Sequence, residues 1–374
     1  MTEHNVFTVL AVANKEDCVS NALAHGLETS ERFQELFLEE VCGRQNGAKS
    51  RTCQVHIRPR LGEAGIPDLL VLCDKPDGYN VVVVENKLHA TEGKYQTANY
   101  ASEPTCEALC DRFGLTQDEV DFTFCFLTLF PDQEPQDERW KQVEHEKLAD
   151  AVLEANIDAP IVKDWCRIVK RFHEAGDLRA QDCFVEKMRQ SQGGLNAGYL
   201  CFLQAMQGLD LPQGLAIRKV LRDNYQGRPA YRAIISKDSW EPGELSDENS
   251  DFDPCSMYSI HFEPEYQWLQ EEFKLLLHYE VNPYRLQSHI ERKRPNEWDE
   301  YREHRKALIQ FLKKNPPEGW SIYHYKNMMG RAKLTIGDEE SWGEVRQRLN
   351  YSMSQMAEAI DEASSGGWAA SLSE

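Results

Sequence analysis

Residues 66–87 read IPDLLVLCDKPDGYNVVVVENK and contain two apolar runs separated by a turn. The runs, 69–72 and 81–84, are rich in leucine and valine and have the length of β-strands. The Pro-Asp-Gly sequence at 76–78 between them is typical of a tight turn. This segment therefore predicts an antiparallel β-hairpin.

The register of this hairpin determines which polar side chains meet. The turn is expected to pair Asp74 with Tyr79. Continued along the strands, the same register brings Asp68 opposite Glu85. Opposed residues of an antiparallel pair point to the same face, with Cβ atoms roughly 4.5–5.5 Å apart. Lys87 lies two residues beyond Glu85 and shares that face, so three charged side chains are predicted to converge at one sheet edge.

Two carboxylates this close repel each other and raise each other's pKa, so the site needs a compensating positive charge. Oxygen ligands from carboxylates, a backbone carbonyl and water suit Mg²⁺ or Mn²⁺. The predicted metal ligands are Asp68, Glu85 and Asn86. Lys87 is suited to orient a water molecule or to stabilise charge on a reacting phosphate. The chemistry that these residue types favour is phosphodiester hydrolysis.

Pro-Asp and Glu-x-Lys also occur by chance, where they cap a turn or lie on a polar strand face. Their context favours a site here, because Pro67-Asp68 opens an apolar strand and 81–84 leads directly into Glu85-Asn86-Lys87. Charged residues at the end of a buried strand need a partner or a function.

Other periodic segments of the first half predict helices around a sheet. They are a helical hairpin over 15–42, a helix over 92–102, a central strand over 121–130, and helices over 141–154 and 161–174. Glu16 falls on the inward face of the first helix. Gln96 and Tyr100 are four residues apart and lie on one face of the helix predicted over 92–102.

The chain is expected to divide near residue 190, after a polar stretch, into a core over 1–190 and an α+β region over 191–374. The second region contains further helical and strand patterns. Helices are predicted over 199–207, 298–313 and 342–363, strands over 231–235, 257–262, 273–279 and 321–325, and an exposed acidic loop over 241–253.

The composition limits the classes of function. Lysine and arginine total 42 against 62 acidic residues, a net charge of −20. Such a chain repels a polyanion at long range, which argues against a protein that coats nucleic acid non-specifically. Basic stretches at 58–60, at 285–306 and around Lys87 and Lys94 can still contact phosphates, although a solvated face is their commoner role.

Three features indicate a cytoplasmic protein. No apolar run approaches the length of a membrane span, and the first residues lack a signal-peptide pattern. The 11 cysteines are scattered without paired ligand spacing, as expected for reduced core thiols.

The motif residues resemble the PD-(D/E)XK nuclease superfamily, and in particular a branch with Glu-Asn-Lys after an apolar strand and a following Gln-xxx-Tyr helix. The resemblance covers roughly residues 5–175. It implies an α/β, restriction-endonuclease-like core, with a mixed β-sheet flanked by helices and an α+β C-terminal extension. The implied site consists of three acids, the catalytic lysine and a lining glutamine: Glu16, Asp68, Glu85, Lys87 and Gln96.

The resemblance further implies a Mg²⁺-dependent or Mn²⁺-dependent endonuclease that acts on DNA rather than RNA, with a role in bacterial defence against phage. A homo-oligomer or a partner protein is compatible with it. The alternative is a non-catalytic nucleic-acid-binding or regulatory module on a nuclease scaffold, against which the intact Asp68, Glu85 and Lys87 argue. Glu16 could instead be a helix N-terminal acid favoured by the dipole, and Gln96 could fasten its helix to the sheet.

Overall fold

The computed structural model describes residues 5–43, 53–89, 92–191, 197–225, 228–240, 259–267, 272–280, 291 and 295–365. The chain forms two compact units, one mainly of residues up to Ala175 and the other mainly of residues from Gly176 on. The sequence predicts the division near residue 190. In the structure the second unit begins earlier, and it includes the helix Phe184–Gln190.

The first unit contains a mixed five-stranded sheet with the strand order β1-β2-β3-β4-β5. Its first three strands pair antiparallel, whereas the last three run parallel. The strands are β1 (Cys53–Ile57), β2 (Leu69–Lys75), β3 (Gly78–Lys87), β4 (Val120–Thr128) and β5 (Trp140–Glu144).

The predicted register of the β2–β3 hairpin is confirmed, since Asp74 pairs with Tyr79. The ladder continues one pair further than expected, to Lys75 and Gly78, which shortens the turn. Gly78 has φ +126°, and a Cβ there would lie 2.1 Å from the carbonyl oxygen of Glu119. Only glycine therefore fits this close approach of two backbones.

Helices flank the sheet. The first unit contains α1 (Val6–Val9), α2 (Glu16–Thr29), α3 (Glu31–Cys42), α4 (Gln96–Tyr100), α5 (Glu103–Phe113), α6 (His145–Glu154) and α7 (Pro160–Gly176). The helical hairpin is confirmed as α2 and α3, with the Ser30 side chain accepting a hydrogen bond from Phe33 N and Gly43 ending α3 in the left-handed region. The helix predicted over 92–102 is shorter than expected and covers only Gln96–Tyr100, since Tyr95 before it is in the left-handed region. A separate helix with Pro104 in its first turn begins at Glu103.

The two faces of β3 meet different surroundings, because successive side chains alternate. Val81 and Val83 join a buried cluster with Tyr100 and Leu109 of α4 and α5. On the opposite face, the Asn86 side chain reaches Ser20 of α2 and His145 of α6. The end of β3 thus lies between two layers of helices.

The second unit is built on a six-stranded sheet with the order β10-β11-β9-β8-β7-β6, in which every pair is antiparallel. Its strands are β6 (Ala216–Tyr225), β7 (Arg228–Ser236), β8 (Ser259–Gln267), β9 (Glu272–Glu280), β10 (Trp320–Tyr325) and β11 (Met328–Ala332), and its helices are α8 (Phe184–Gln190), α9 (Ala197–Gln207), α10 (Pro295–Lys314) and α11 (Trp342–Ser365). β6 and β11 were not predicted. The acidic stretch 241–253, most of 281–294 and the first two residues of the strand predicted over 257–262 lie outside the described residues.

Two further properties can be stated for the described residues. None of their helices is both long and apolar enough to cross a membrane. No disulfide joins the nine cysteines whose side chains the structure describes, namely Cys18, Cys53, Cys73, Cys106, Cys110, Cys125, Cys166, Cys183 and Cys201.

Candidate active site

Asp68 and Glu85 lie at the end of the β2–β3 hairpin, one step beyond the last ladder pair, Leu69 and Val84. Asp68 directly precedes β2, and its Oδ2 accepts a hydrogen bond from the main-chain N–H of Asn86 at 2.8 Å. The hydrogen bond ties the start of one strand to the end of its neighbour. The two carboxylates are therefore held at the same edge of the sheet.

Glu85 is buried, with 3% of its surface exposed, and its two oxygens have different surroundings. Oε1 accepts hydrogen bonds from Lys87 Nζ at 2.6 Å and from Gln96 Nε2 at 2.7 Å. Oε2 is buried and has no hydrogen-bond partner within the described parts of the chain. Burial, and then the charge of Asp68, raise the pKa of Glu85 to about 7. Ionised Glu85 therefore requires a further positive partner.

Asp68 is half-buried, and its pKa is also raised, to about 6. Burial is the main cause, and the charge of Glu16 adds to it. The hydrogen bond from Asn86 and the charge of Lys87 act in the opposite direction without cancelling the rise. Two carboxyl groups at one sheet edge thus share an environment that penalises their charged forms.

Lys87 is the cation of this cluster, with 7% of its surface exposed. Burial lowers its pKa, but the charges of Glu85, Glu16 and Asp68 outweigh burial, so its pKa lies above the usual value. Lys87 is consequently protonated at neutral pH. A single lysine faces three acids, which leaves the site negatively charged when all three are ionised.

Glu16 lies in the first turn of α2 and points towards the end of β3. Its Oε1 accepts hydrogen bonds from the main-chain N–H groups of Leu88 at 2.8 Å and His89 at 3.2 Å. Its charge acts on both Asp68 and Lys87. Glu16 is therefore a helix N-terminal acid and a neighbour of the site at once.

Gln96 begins α4 and contacts the site directly through Glu85 Oε1. The same Nε2 atom donates to the hydroxyl of Tyr100 at 3.1 Å, and Oε1 of Gln96 accepts from the main-chain N–H of Gly93 at 3.1 Å. Gln96 therefore links α4 to the end of β3 and orients the buried carboxylate of Glu85.

The Asn86 side chain lies on the opposite face of β3 from Glu85 and Lys87. Its Nδ2 donates to Ser20 Oγ at 3.0 Å and to the Glu16 carbonyl at 3.4 Å, and its Oδ1 is 2.8 Å from His145 Nε2. The side-chain amide is engaged away from the carboxylates. Only the main-chain carbonyl of Asn86 is left to serve as a metal ligand.

A buried hydrogen-bond chain extends from Asn86. Trp165 Nε1 donates to His145 Nδ1 at 3.1 Å, so His145 carries its proton on Nε2 and donates it to Asn86 Oδ1. Complete burial lowers the pKa of His145 to about 3. Sequence reasoning missed Ser20, His145 and Trp165. They lie far from Asn86 along the chain, and no local pattern distinguishes them from ordinary core residues.

The cluster has the donors that a hard divalent cation requires. Asp68 and Glu85 provide carboxylate oxygens, and Glu85 Oε2 is the atom without a hydrogen-bond partner among the described residues. Mg²⁺ and Mn²⁺ prefer such oxygen ligands. A divalent ion would also balance the excess negative charge. The residues present therefore fit the metal that the sequence predicts.

Comparisons of the chain with protein families, with curated proteins and with solved structures found no match.

Proposed function

We propose that the first unit is a nuclease of the PD-(D/E)XK type with a restriction-endonuclease-like core, which hydrolyses phosphodiester bonds with the help of Mg²⁺ or Mn²⁺. The mixed five-stranded sheet flanked by helices supports this proposal. So does the meeting of Asp68, Glu85 and Lys87 at one edge of that sheet. DNA as the substrate and a role in defence against phage rest on the resemblance of the motifs alone.

The observation that carries the proposal is the buried Oε2 atom of Glu85, which has no hydrogen-bond partner among the described residues. A buried polar atom without a partner costs roughly 1–3 kcal/mol, and more when it is charged. Glu85 Oε2 is such an atom, whereas Oε1 is held by Lys87 and Gln96. A carboxylate oriented by two donors, with one oxygen left over beside a second acid, is suited to bind a cation.

The roles of the side chains follow from their contacts. Asp68 and Glu85 would hold the cation, which would polarise a phosphate oxygen and offset negative charge. Lys87 Nζ can donate to a phosphate oxygen or orient the attacking water, because it remains protonated. Gln96 and the Asn86 N–H fix the two carboxylates, so little reorganisation is needed when substrate binds.

Cleavage assays test this proposal. Purified full-length protein is incubated with plasmid, linear and single-stranded DNA and with RNA, in Mg²⁺, Mn²⁺ or EDTA. We expect metal-dependent cleavage that Asp68→Ala abolishes and Lys87→Ala lowers by about 100- to 1000-fold. Lys75→Ala is the matched control, because Lys75 lies at the other end of the same hairpin, in an ion pair with Asp121. It should retain activity.

Two outcomes would contradict the proposal. Cleavage that persists in both Asp68→Ala and Lys87→Ala would reject the site. Binding of nucleic acid without cleavage under any metal condition would instead favour the non-catalytic binding module.

A further inference from the structure

A second group of ionisable side chains lies in the sheet of the second unit. His261 of β8 pairs directly with His278 of β9. Glu263 and Glu280 each lie two residues further along the same strand, so all four side chains are on one face of the sheet. Alternation along two antiparallel strands is sufficient to bring them together.

The geometry of the four residues is that of a compact ligand set. One nitrogen or carboxylate oxygen from each lies within 4.8 Å of the others. His261 is fully buried, Glu263 is 4% exposed, and the two imidazole rings stack with centroids 5.4 Å apart. Around a tetrahedral zinc ion, ligands with bonds of about 2.0–2.1 Å lie about 3.4 Å from one another. Small side-chain adjustments would bring the set to that spacing.

Glu280 is the centre of the polar contacts within the cluster. His278 Nδ1 is 2.9 Å from Glu280 Oε1, and Asn327 Nδ2 donates to Glu280 Oε2 at 3.2 Å. His261 Nε2 lies 3.5 Å from Glu280 Oε1 as well, so each imidazole turns one nitrogen towards this carboxylate. A divalent ion held between these atoms would replace the contacts of His261 and His278 with Glu280 by bonds to the metal.

The charges around the cluster also favour a cation. Glu263 is 3.2 Å from Arg232, which also forms a 2.5 Å ion pair with Asp223. Arg305 is close enough to Glu280 for their charges to interact. Three carboxylates therefore face two guanidinium groups, and the balance is negative while both imidazoles are neutral.

We propose that His261, Glu263, His278 and Glu280 bind one zinc-class divalent ion, which would tie β8 to β9 in the second unit. Imidazole nitrogens together with carboxylates select Zn²⁺ over Mg²⁺, which prefers oxygen ligands alone. Four protein ligands on a largely buried face make a closed, structural site. This site is chemically distinct from the oxygen-only site of Asp68 and Glu85 and does not depend on the nuclease proposal.

Metal binding to full-length protein tests the proposal. The Asp68→Asn variant serves as the parent, because it lacks the first-unit acid pair, and it is stripped with a chelator and titrated with Zn²⁺ or with Co²⁺ as a visible probe. One retained equivalent with the Co²⁺ spectrum of a four-coordinate site is expected. Adding His278→Ala should weaken Zn²⁺ binding by more than about 10- to 100-fold. Adding Glu265→Gln should not, since Glu265 is on the same face of β8 but outside the cluster.

X-ray absorption of the Zn²⁺-loaded parent identifies the metal ligands without a substitution in the cluster. Its result therefore stands even if a cluster variant fails to fold. Scattering from imidazole and oxygen neighbours would support the proposal. Sulfur scattering from cysteine ligands, failure of the parent to retain Zn²⁺, or equal binding by His278→Ala would each overturn it.

Discussion

At the scale of single residues, Glu85 combines properties that oppose each other. Its burial raises its pKa to about 7, which disfavours the ionised form that binds a cation. Its Oε1 is nevertheless held by Lys87 and Gln96, which stabilise the charge. Burial of such a carboxylate costs folding stability, and ionisable groups with strongly shifted pKa values are common at active sites.

Asp68→Asn should stabilise the metal-free protein at alkaline pH. The pKa of Asp68 is raised to about 6, so its contribution to stability is present below about pH 4 and is lost as pH rises through about 6. Asn is neutral and can still accept from the Asn86 N–H. We expect the free energy of unfolding in urea to rise by about 1–3 kcal/mol at pH 8 and to change little at pH 4.

Asp77→Asn is the control for this effect, because Asp77 is exposed in the turn of the same hairpin. It should show no such pH-dependent gain. An Asp68→Asn protein less stable than the parent at pH 8 would mean that the carboxylate is not penalised by burial.

Gln96→Leu should shift the acid limb of the pH–activity profile to higher pH. The hydrogen bond from Gln96 lowers the pKa of Glu85, so its loss raises that pKa further and delays the ionisation needed for cation binding. Tyr100→Phe removes only the hydroxyl that accepts from the same amide and should leave the limb nearly in place. The pH profile of Mg²⁺-dependent cleavage measures the position of the acid limb in both variants. If the acid limb of the profile is unchanged in Gln96→Leu, Gln96 fastens α4 but does not lower the pKa of Glu85.

The convergence of Asp68, Glu85 and Lys87 could be predicted from sequence, because strand alternation and one turn fix which residues face each other. The engagement of the Asn86 side chain on the far face follows from the same alternation. Its partners, Ser20 and His145, could not be found this way, since they come from helices whose placement depends on tertiary packing.

At the scale of secondary-structure elements, local chemistry explains which boundaries were predicted well. The β2–β3 register agrees with the prediction because the Pro-Asp-Gly turn at 76–78 and the apolar run on each side of it fix the pairing. The strand β5 was missed, since Trp140–Glu144 is short, pairs with β4 alone among the described strands, and has a sequence that continues into the pattern of α6. Such an edge strand is defined by its neighbour rather than by its own pattern.

His145→Ala should destabilise the packing of α6 and α7 against the end of β3. The substitution leaves Asn86 Oδ1 and Trp165 Nε1 buried without partners, each at about 1–3 kcal/mol. Chemical denaturation measures the loss. His173→Ala on α7 is a control, because His173 lies outside this hydrogen-bond chain, in contact with Glu146. A loss for His145→Ala no larger than for His173→Ala would show that the chain adds little to stability.

At the scale of the whole molecule, the two proposed sites predict separate metal responses. Mg²⁺ binding to the folded state alone stabilises it by about 2.7 kcal/mol at a concentration one hundred times the dissociation constant. We expect Mg²⁺ to raise the melting temperature of the full chain, and Asp68→Ala to remove that rise. His278→Ala should leave the Mg²⁺ response intact while removing the response to Zn²⁺. Loss of both responses in either variant would contradict two independent sites.

The location of bound Mn²⁺ tests most directly whether Asp68 and Glu85 hold a hard cation together. Crystals of the full-length protein soaked in Mn²⁺ should give an anomalous difference peak about 2 Å from a carboxylate oxygen of each residue, with Glu85 Oε2 as one ligand. The same soak of Asp68→Asn crystals should give no peak there. A Mn²⁺ ion bound elsewhere, with Glu85 Oε2 still without a partner, would contradict the proposed metal site and the nuclease chemistry built on it.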